Sequence, residues 1–151
     1  MAHNKWAATM ARTLDANFAT IEAELHAALK TSAFTRDEFG RGNWSKFMLF
    51  EAGTYDPANC KLAPFLCTLV LRYGEVYSMV LGDVKFSSMT PGSHIPPHCG
   101  PSNSRMRLHL GIQTPENVTI RCGNVNRTWA RGRAMIFDDS YEHEVKGATD
   151  Q

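Results

Sequence analysis

The stretch "HCGPSNSRMRLHLGI", residues 98–112, decides the predicted fold because it joins a turn to an alternating strand. A glycine–proline pair turns the chain directly after the histidine and cysteine. Arg105, Arg107 and His109 then alternate with apolar residues. Because successive side chains of a strand point to opposite faces, one face carries two guanidiniums and an imidazole, and the other needs a core. The stretch therefore predicts a strand with an unusual polar face.

Similar short runs fill the chain from Trp44 onward, with turn residues between them. They are "WSKFMLFE", "EVYSMVLG", "VKFSSM", "RMRLHLGI", "VTIRCG", "RTWARG" and "AMIFDD". Many short strands with frequent turns favour a sandwich or barrel over a parallel sheet of βαβ units. Between the first two runs, "CKLAPFLCTLVLRY" is expected to form a short helix.

The beginning of the chain has a helical pattern instead. Apolar residues between Trp6 and about Lys30 recur three or four positions apart, namely Met10, Leu14, Phe18, Ile21, Leu25 and Leu29. The 151 residues are enough for one domain with one core. We expect a mainly β single domain, with a helical part over 1–40 packed on a small double-sheet barrel over 44–151.

Composition excludes several classes of function. The 16 basic and 15 acidic residues leave a formal charge of +1, which argues against a general nucleic-acid surface, so we expect no nucleic-acid partner. No apolar run approaches the ~20 residues of a membrane span. The first residues also lack the basic start and apolar centre of a signal peptide.

Two readings of the cationic strand face are open at this point. If the face lines a barrel interior, its guanidiniums need anions, since isolated buried charge is costly, and a bound carboxylate ligand supplies them. If it faces water, surface acids pair with Arg105 and Arg107. His98 and His143 pose a similar choice: neutral imidazoles from two strands can hold a divalent metal, whereas a lone histidine is more often structural.

Two segments resemble a known family: "PGSHIPPHCGPSNSRMRLHLGI", residues 91–112, and "GNVNRTWARGRAMIFDDSYEHEV", residues 123–145. They are similar to the catalytic domain of the aspartyl/asparaginyl β-hydroxylases, and the resemblance extends from "GNWSKFMLFEAG", residues 42–53, to the end. The family implies a double-stranded β-helix, also called a jelly roll, and an oxygenase that uses Fe(II), 2-oxoglutarate and O2. Its reaction hydroxylates the β-carbon of aspartyl or asparaginyl residues in a peptide or protein, including those of EGF-like modules.

The resemblance also implies the iron ligands, which are His98 and His143. Most oxygenases of this class add a carboxylate two residues after the first histidine. Gly100 stands there in this chain and has no side chain. This agrees with the family, in which two histidines bind iron and water takes the remaining position.

Further roles follow from the resemblance alone. Arg107 and His109 are expected to contact the 1-carboxylate end of 2-oxoglutarate, and Ser87 its distal carboxylate. Trp44 is expected to line the cofactor pocket. Arg105 is expected to meet the acidic side chain of the substrate residue.

The cysteines and the end of the chain give two further expectations. Cys60 and Cys67 are close enough in sequence for a disulfide in an oxidising compartment, or they are two buried thiols. By the resemblance they match a disulfide pair, which favours the lumen of the endoplasmic reticulum; without it we expect the cytoplasm. The family has a further core strand with a 2-oxoglutarate-binding arginine after the second histidine, which we expect to be missing before Gln151.

Two alternative functions stay open. Bacterial members of the family imply the same chemistry on a small molecule or a lipid. A catalytically idle jelly roll that binds a carboxylate or a partner is the second alternative. The joint presence of His98, Arg107, His109 and His143 favours the enzyme.

Overall fold

The structure, a computed structural model, describes residues 3–74, 80, 82–103 and 106–147. Strands predominate over helices in these ranges, the strands pair antiparallel, and helices occupy the N-terminal part. The prediction of a mainly β chain with N-terminal helices is confirmed.

The secondary-structure elements follow one another in this order: α1 His3–Ala16, α2 Phe18–Leu29, β1 Thr35–Asp37, β2 Trp44–Glu51, β3 Thr54–Tyr55, α3 Pro57–Cys60, α4 Pro64–Leu71, β4 Asp83–Met89, β5 His94–His98, β6 Arg107–Leu110, β7 Thr119–Cys122, β8 Val125–Thr128, β9 Ala134–Phe137 and β10 His143–Lys146. They divide between two compact units. The disulfide unit comprises the described residues of 19–38 and 43–89, and the histidine unit those of 1–18, 39–42 and 90–151.

The disulfide unit is built around β2, which pairs antiparallel with β1, β3 and β4. The β2–β3 hairpin turns through Ala52 and Gly53, whose φ angles are +49° and +77°. Positive φ angles at both turn residues give a two-residue hairpin turn whose backbone twist matches the right-handed twist of the flanking strands. The inward side chains of β2 and β4 form an aromatic core in which Phe47 contacts Phe34 and Phe86.

A buried carboxylate organises the helices of this unit. Ala63 makes no side-chain cap at the start of α4, where Pro64 occupies the first helical turn. Glu24 of α2 supplies the cap instead: its carboxylate accepts from the backbone N–H groups of Phe65 at 2.6 Å and Leu66 at 3.1 Å. These are donors that a helix leaves unpaired at its N-terminus. A disulfide joins Cys60 to Cys67, with the Cα atoms 5.8 Å apart, and so ties α3 to α4.

The histidine unit contains two sheets. One has the strand order β5-β10-β7-β8, and the other pairs β6 with β9. Helix α1 packs on β6 and β9. Asp15 anchors the helix, since its carboxylate accepts from the backbone N–H of Ala134 at 2.7 Å. The buried apolar side chains of this unit are Ala7, Met10, Leu14, Ile95, Ile120, Met135, Phe137 and Val145.

The sequence patterns and the structure differ at several points. The predicted N-terminal helix is two helices, α1 and α2, separated at Asn17. Leu29 is 44% exposed because α2 buries Ile21, Glu24 and Ala28 instead. The run "RTWARG" is not a strand over its length, because β8 ends at Thr128. Strands β5 and β10 had no predicted counterpart, and most of "EVYSMVLG" lies outside the described residues.

Glu24→Ala is expected to destabilise the protein by about 1–3 kcal/mol, because it leaves two buried N–H donors without an acceptor. The change is measured as the free energy of unfolding in urea. Glu38→Ala is the matched control, since Glu38 is exposed, and it is expected to stay within about 0.5 kcal/mol of the parent. Equal stabilities of the two variants would show that Glu24 does not cap α4.

Candidate functional site

Two imidazoles meet on adjacent strands of the histidine unit. His143 of β10 lies directly opposite His98 of β5 in the antiparallel register. Their ring centroids are 4.1 Å apart, with the planes tilted by 54°. The sequence placed these residues at two ends of a pattern, 45 positions apart. The structure brings the two rings together.

A bulge in β5 sets this meeting. Val145 pairs with Ile95 and His143 with His98, so one residue of β10 stands opposite two prolines of β5. In a regular strand Ile95 and His98, three positions apart, would lie on opposite faces. Because the bulge gives both prolines one position of the ladder, Ile95 and His98 instead lie on the same face as Val145 and His143, hereafter the imidazole face. Two prolines suit a bulge because neither has an N–H to give to the ladder.

Backbone carbonyls orient both rings. The Nδ1 atom of His98 lies 2.8 Å from the carbonyl oxygen of Pro96, and that of His143 lies 3.0 Å from the carbonyl oxygen of Tyr141. A carbonyl only accepts, so each Nδ1 carries the proton and donates. The lone pair of each ring is then on Nε2, as in histidines that ligate metals. Burial is the main cause that lowers the pKa of His143, which keeps this imidazole neutral near pH 7.

A buried carboxylate that sequence reasoning missed lies beside the pair. Asp139 is 1% exposed, and its Oδ2 accepts from Nε of Arg107 at 3.0 Å. Its backbone carbonyl accepts from the N–H of Gly100 at 2.6 Å. A Cβ on Gly100 would lie 2.5 Å from Asp139 Oδ2, so no side chain fits at position 100. The space that a carboxylate on residue 100 would enter is taken by the carboxylate of Asp139.

The signal for Asp139 was present in the sequence. It stands in "FDDSYEHEV", where two aspartates follow a buried strand and precede His143. The neighbouring Asp138 holds the turn, since its carboxylate accepts from the backbone N–H and the hydroxyl of Ser140. Periodicity does not say which of two adjacent aspartates turns inward, so the sequence alone could not choose between them.

The cationic strand is observed as β6, and its polar face is directed to the site. Arg107 lies opposite Phe137 in the β6–β9 pair. The ring of His109 packs edge-on against Phe137 at 4.9 Å and is stacked with Trp129 at 6.0 Å. Phe137 also contacts the ring of His143 at 5.5 Å. Phe137 thus connects the two predicted groups of residues, the cofactor-binding strand and the imidazole pair.

Two of the remaining predicted site residues, Trp44 and Ser87, belong to the disulfide unit. Trp44 Nε1 donates a hydrogen bond to Ser87 Oγ at 2.7 Å. The Nζ atom of Lys85 lies 6.0 Å from the centre of the Trp44 ring. Arg105 lies outside the described residues, so its predicted role stays a prediction.

The residues present fit a ferrous ion in their chemistry. Neutral imidazoles bind iron as well as zinc and copper, and both rings here are held with Nε2 available. Within the described ranges, no group of three or more His, Cys, Asp or Glu side chains is arranged to hold a metal. Among the described residues, His98 and His143 thus present two nitrogen atoms that could hold such an ion.

Deletion of both Pro96 and Pro97 tests the role of the bulge. The bulge gives the two prolines a single position of the ladder, so their loss places His98 directly after Ile95 and turns it to the opposite face, away from His143. Affinity for Co(II), a spectroscopic probe for the proposed ferrous site, is therefore expected to fall at least about 100-fold. Affinity is measured by titration of the cobalt absorption bands.

The matched control for this deletion is the double substitution Pro96→Ala with Pro97→Ala. It keeps the number of residues between Ile95 and His98, and it is expected to keep cobalt binding within about tenfold of the parent. A deletion variant that binds cobalt as tightly as this control would refute the role of the bulge.

Comparisons with known proteins identify a family for the chain. A family model described as aspartyl/asparaginyl beta-hydroxylase matches residues 15–151. Over 106 residues, the chain is 46% identical to the aspartyl/asparaginyl beta-hydroxylase of Mus musculus, a match that covers 70% of this chain and 14% of the mouse protein. The chain thus comes from a class of proteins named as hydroxylases. More particularly, it belongs to the aspartyl/asparaginyl beta-hydroxylase family.

Two other relatives show the breadth of that family. The aspartate beta-hydroxylase domain-containing protein 2 of Xenopus tropicalis is 34% identical over 138 residues, covering 86% of this chain and 37% of that protein. The ornithine lipid ester-linked acyl 2-hydroxylase of Rhizobium tropici is 37% identical over 111 residues, covering 72% of this chain and 38% of the relative. The chain thus spans well under half the length of each of these relatives. Among the described residues, none of the helices has the length and apolar character to cross a membrane.

Proposed function

We propose that the protein is an Fe(II)- and 2-oxoglutarate-dependent dioxygenase that hydroxylates the β-carbon of aspartyl or asparaginyl residues in a peptide or protein. One observation carries this proposal: His98 and His143 lie opposite each other at 4.1 Å, each with Nδ1 bound to a backbone carbonyl. In each ring the hydrogen bond of Nδ1 fixes the orientation, and Nε2 remains available to bind a metal.

The ferrous ion, when bound, would supply the positions at which 2-oxoglutarate and O2 react. The protein's own contribution is to orient and to exclude water. The carbonyls of Pro96 and Tyr141 fix the imidazoles, and Phe137 covers His143 on one side. Phe39 packs edge-on against His98 at 5.1 Å while remaining 46% exposed. It therefore stands where a substrate would approach.

Asp139 has a positioning role in this scheme. Its carboxylate holds the Nε side of Arg107, and a guanidinium has five N–H donors in a fixed plane. Arg107 is thus oriented before a ligand arrives, and it can grip the 1-carboxylate of 2-oxoglutarate together with His109. Asp139 also lies close enough to His143 to act on its charge, and it favours the protonated ring against the larger effect of burial.

The other cofactor roles rest on the family. Ser87 would donate to the distal carboxylate of 2-oxoglutarate, and Trp44 would line the cofactor pocket. Their mutual hydrogen bond leaves the hydroxyl proton of Ser87 to be directed at an acceptor, since the oxygen already accepts from the indole. Arg105 would contact the acidic side chain of the substrate, and EGF-like modules are candidate substrates.

A lipid substrate is the second candidate. The observation that favours it is the 37% identity to the Rhizobium tropici relative, which is named for hydroxylation of an acyl chain. The higher identity to the mouse relative, 46%, favours a protein substrate. The two candidates share the same metal chemistry and differ in what enters beside Phe39.

The central test replaces each imidazole. His98→Ala and His143→Ala are each expected to reduce formation of succinate from 2-oxoglutarate to the background of the assay, because each removes one of two protein ligands. The assay supplies Fe(II), ascorbate, O2 and peptides with aspartyl or asparaginyl residues, and product is measured by mass spectrometry. His26→Ala, at an exposed position of α2, is the control and is expected to keep the parent rate.

Three outcomes separate the candidates. Succinate together with a hydroxylated peptide supports the proposal. Succinate that forms only together with a hydroxylated acyl lipid supports the second candidate, the lipid substrate. A parent protein that forms no succinate while it binds a carboxylate would falsify the enzyme and support the binding module.

Arg107→Lys is expected to raise the KM for 2-oxoglutarate at least about 30-fold, because lysine cannot match a carboxylate bidentately and the lost pair is worth about 2–5 kcal/mol. The KM is measured by succinate formation at varied 2-oxoglutarate. Arg12→Lys on the exposed side of α1 is the control. An unchanged KM in Arg107→Lys would remove this residue from the cofactor site.

A further inference from the structure

A row of basic side chains crosses the other face of the sheet that carries the imidazoles. Arg41 and His94 exchange two backbone hydrogen bonds, both 2.8 Å long. His94 is in turn directly opposite Lys146 in the β5–β10 register. Directly opposed residues of antiparallel strands project from the same face, so Arg41, His94 and Lys146 form one row over three neighbouring segments.

This row is separate from the imidazole face. Ile95 and Val145 are buried on the imidazole face, and they follow His94 and precede Lys146 by one position. Strand alternation therefore directs His94 and Lys146 to the opposite face. None of the residues assigned to metal or cofactor belongs to the row.

A pocket of about 230 Å³ lies along the row, lined by Arg41, Gly92, Ser93, His94, Lys146 and Gly147. Drug-sized ligands generally occupy about 300–1,000 Å³, so the pocket suits a small ligand or a head group. A Cβ on Gly92 would have no neighbouring atom within 4 Å, so this glycine leaves the mouth open. We name this site the Arg41 pocket.

The floor of the Arg41 pocket is a close-packed backbone around Ser93, which is 1% exposed. A Cβ on Gly147 would lie 2.8 Å from the carbonyl oxygen of Ser93, and a Cβ on Gly42 would lie 2.4 Å from its hydroxyl oxygen. Both positions therefore require glycine for this packing. The Ser93 hydroxyl is 3.1 Å from that of Thr90, which adds a polar hydroxyl pair beneath the basic row.

The charges at the Arg41 pocket do not balance. Glu144 is buried below the row and its carboxylate lies 2.8 Å from His94 Nε2, 3.2 Å from Lys146 Nζ and 3.4 Å from Arg121 Nε. Arg121 has a second carboxylate, that of Glu142, at 2.7 Å. Arg41 has no ion pair within the described part of the chain. The two acids Glu142 and Glu144 thus face the three bases Arg41, Arg121 and Lys146, with His94 in addition.

We propose that the Arg41 pocket binds a phosphate group, either as the free ion or as a phosphomonoester of a small molecule. Opposed like charges on a sheet destabilise it, and a bound dianion removes that repulsion. Arginine matches phosphate bidentately, and lysine and the imidazole add donors from two other segments. Donors that converge from three segments suit the tetrahedral oxygens of phosphate better than a planar carboxylate.

Phosphate binding is tested on the metal-free protein by isothermal titration calorimetry at constant ionic strength, with inorganic phosphate, glycerol phosphate and succinate as separate titrants. We expect saturable binding of inorganic phosphate with one site per chain. Tighter binding of glycerol phosphate than of the free ion identifies the phosphomonoester as the source, and the reverse identifies the free ion. Succinate binding that is as tight as that of both phosphates and is weakened by Arg41→Ala would overturn the assignment to phosphate.

Two variants and a control locate the binding. Arg41→Ala and Lys146→Ala are each expected to weaken phosphate binding at least tenfold, since each loses one charge-assisted contact. Arg41→Lys is expected to recover part of the loss, and thermal melting confirms that each variant is folded. Lys61→Ala, an exposed lysine of the disulfide unit, serves as the control. Equal phosphate affinities of Arg41→Ala and this control would refute the Arg41 pocket.

His98→Ala separates this inference from the proposed function. It is expected to abolish succinate formation and to leave phosphate binding intact, because His98 lies on the imidazole face. The Arg41 pocket is therefore tested without reference to the oxygenase reaction.

Discussion

The arrangement of the histidine unit depends on a β-bulge in β5. Ile95 and His98 are three positions apart, so a regular strand with a buried Ile95 would direct His98 to the opposite face. The bulge gives both prolines between them one position of the ladder and so turns His98 toward His143. The proposed metal site thus depends on register, since the same side chains in a regular ladder would lie on two sides of the sheet.

A second constraint is the buried ion pair of Asp139 and Arg107, which fixes strand β6. An ionised carboxylate that is 1% exposed requires a partner, and Arg107 at 3.0 Å provides it. Because removal of one member of a buried pair costs about 3–5 kcal/mol, the pair ties the loop after β9 to β6. Gly100 belongs to the same arrangement, since any side chain there would meet the carboxylate of Asp139. The lack of space for a side chain at position 100 and the orientation of Arg107 therefore have one structural cause, the carboxylate of Asp139.

The β5–β10 pair has different chemistry on its two faces. One face holds the two imidazoles among Ile95, Val145 and Phe137, whereas the other holds Glu144 beneath a row of bases. Hydrogen bonds from His94, followed by Lys146, hold the pKa of Glu144 below its usual value, so this carboxylate stays charged at a pH somewhat below its ordinary pKa. The disulfide unit stabilises itself by other means, with Glu24 as a helix cap and a covalent link between Cys60 and Cys67.

The sequence by itself determined the mainly β class, strand β2 and the helix at Pro64–Leu71, because strand period and turn residues are local properties. The selection of His98 and His143 as ligands came from the family resemblance and stays a prediction. Only the tertiary structure decided which of two adjacent aspartates is buried, which face His98 takes, and that Arg41, His94 and Lys146 form a row. Each of these depends on register between segments distant in the sequence, and a shift of one residue reverses the face of a side chain. Local patterns carry no information on that register.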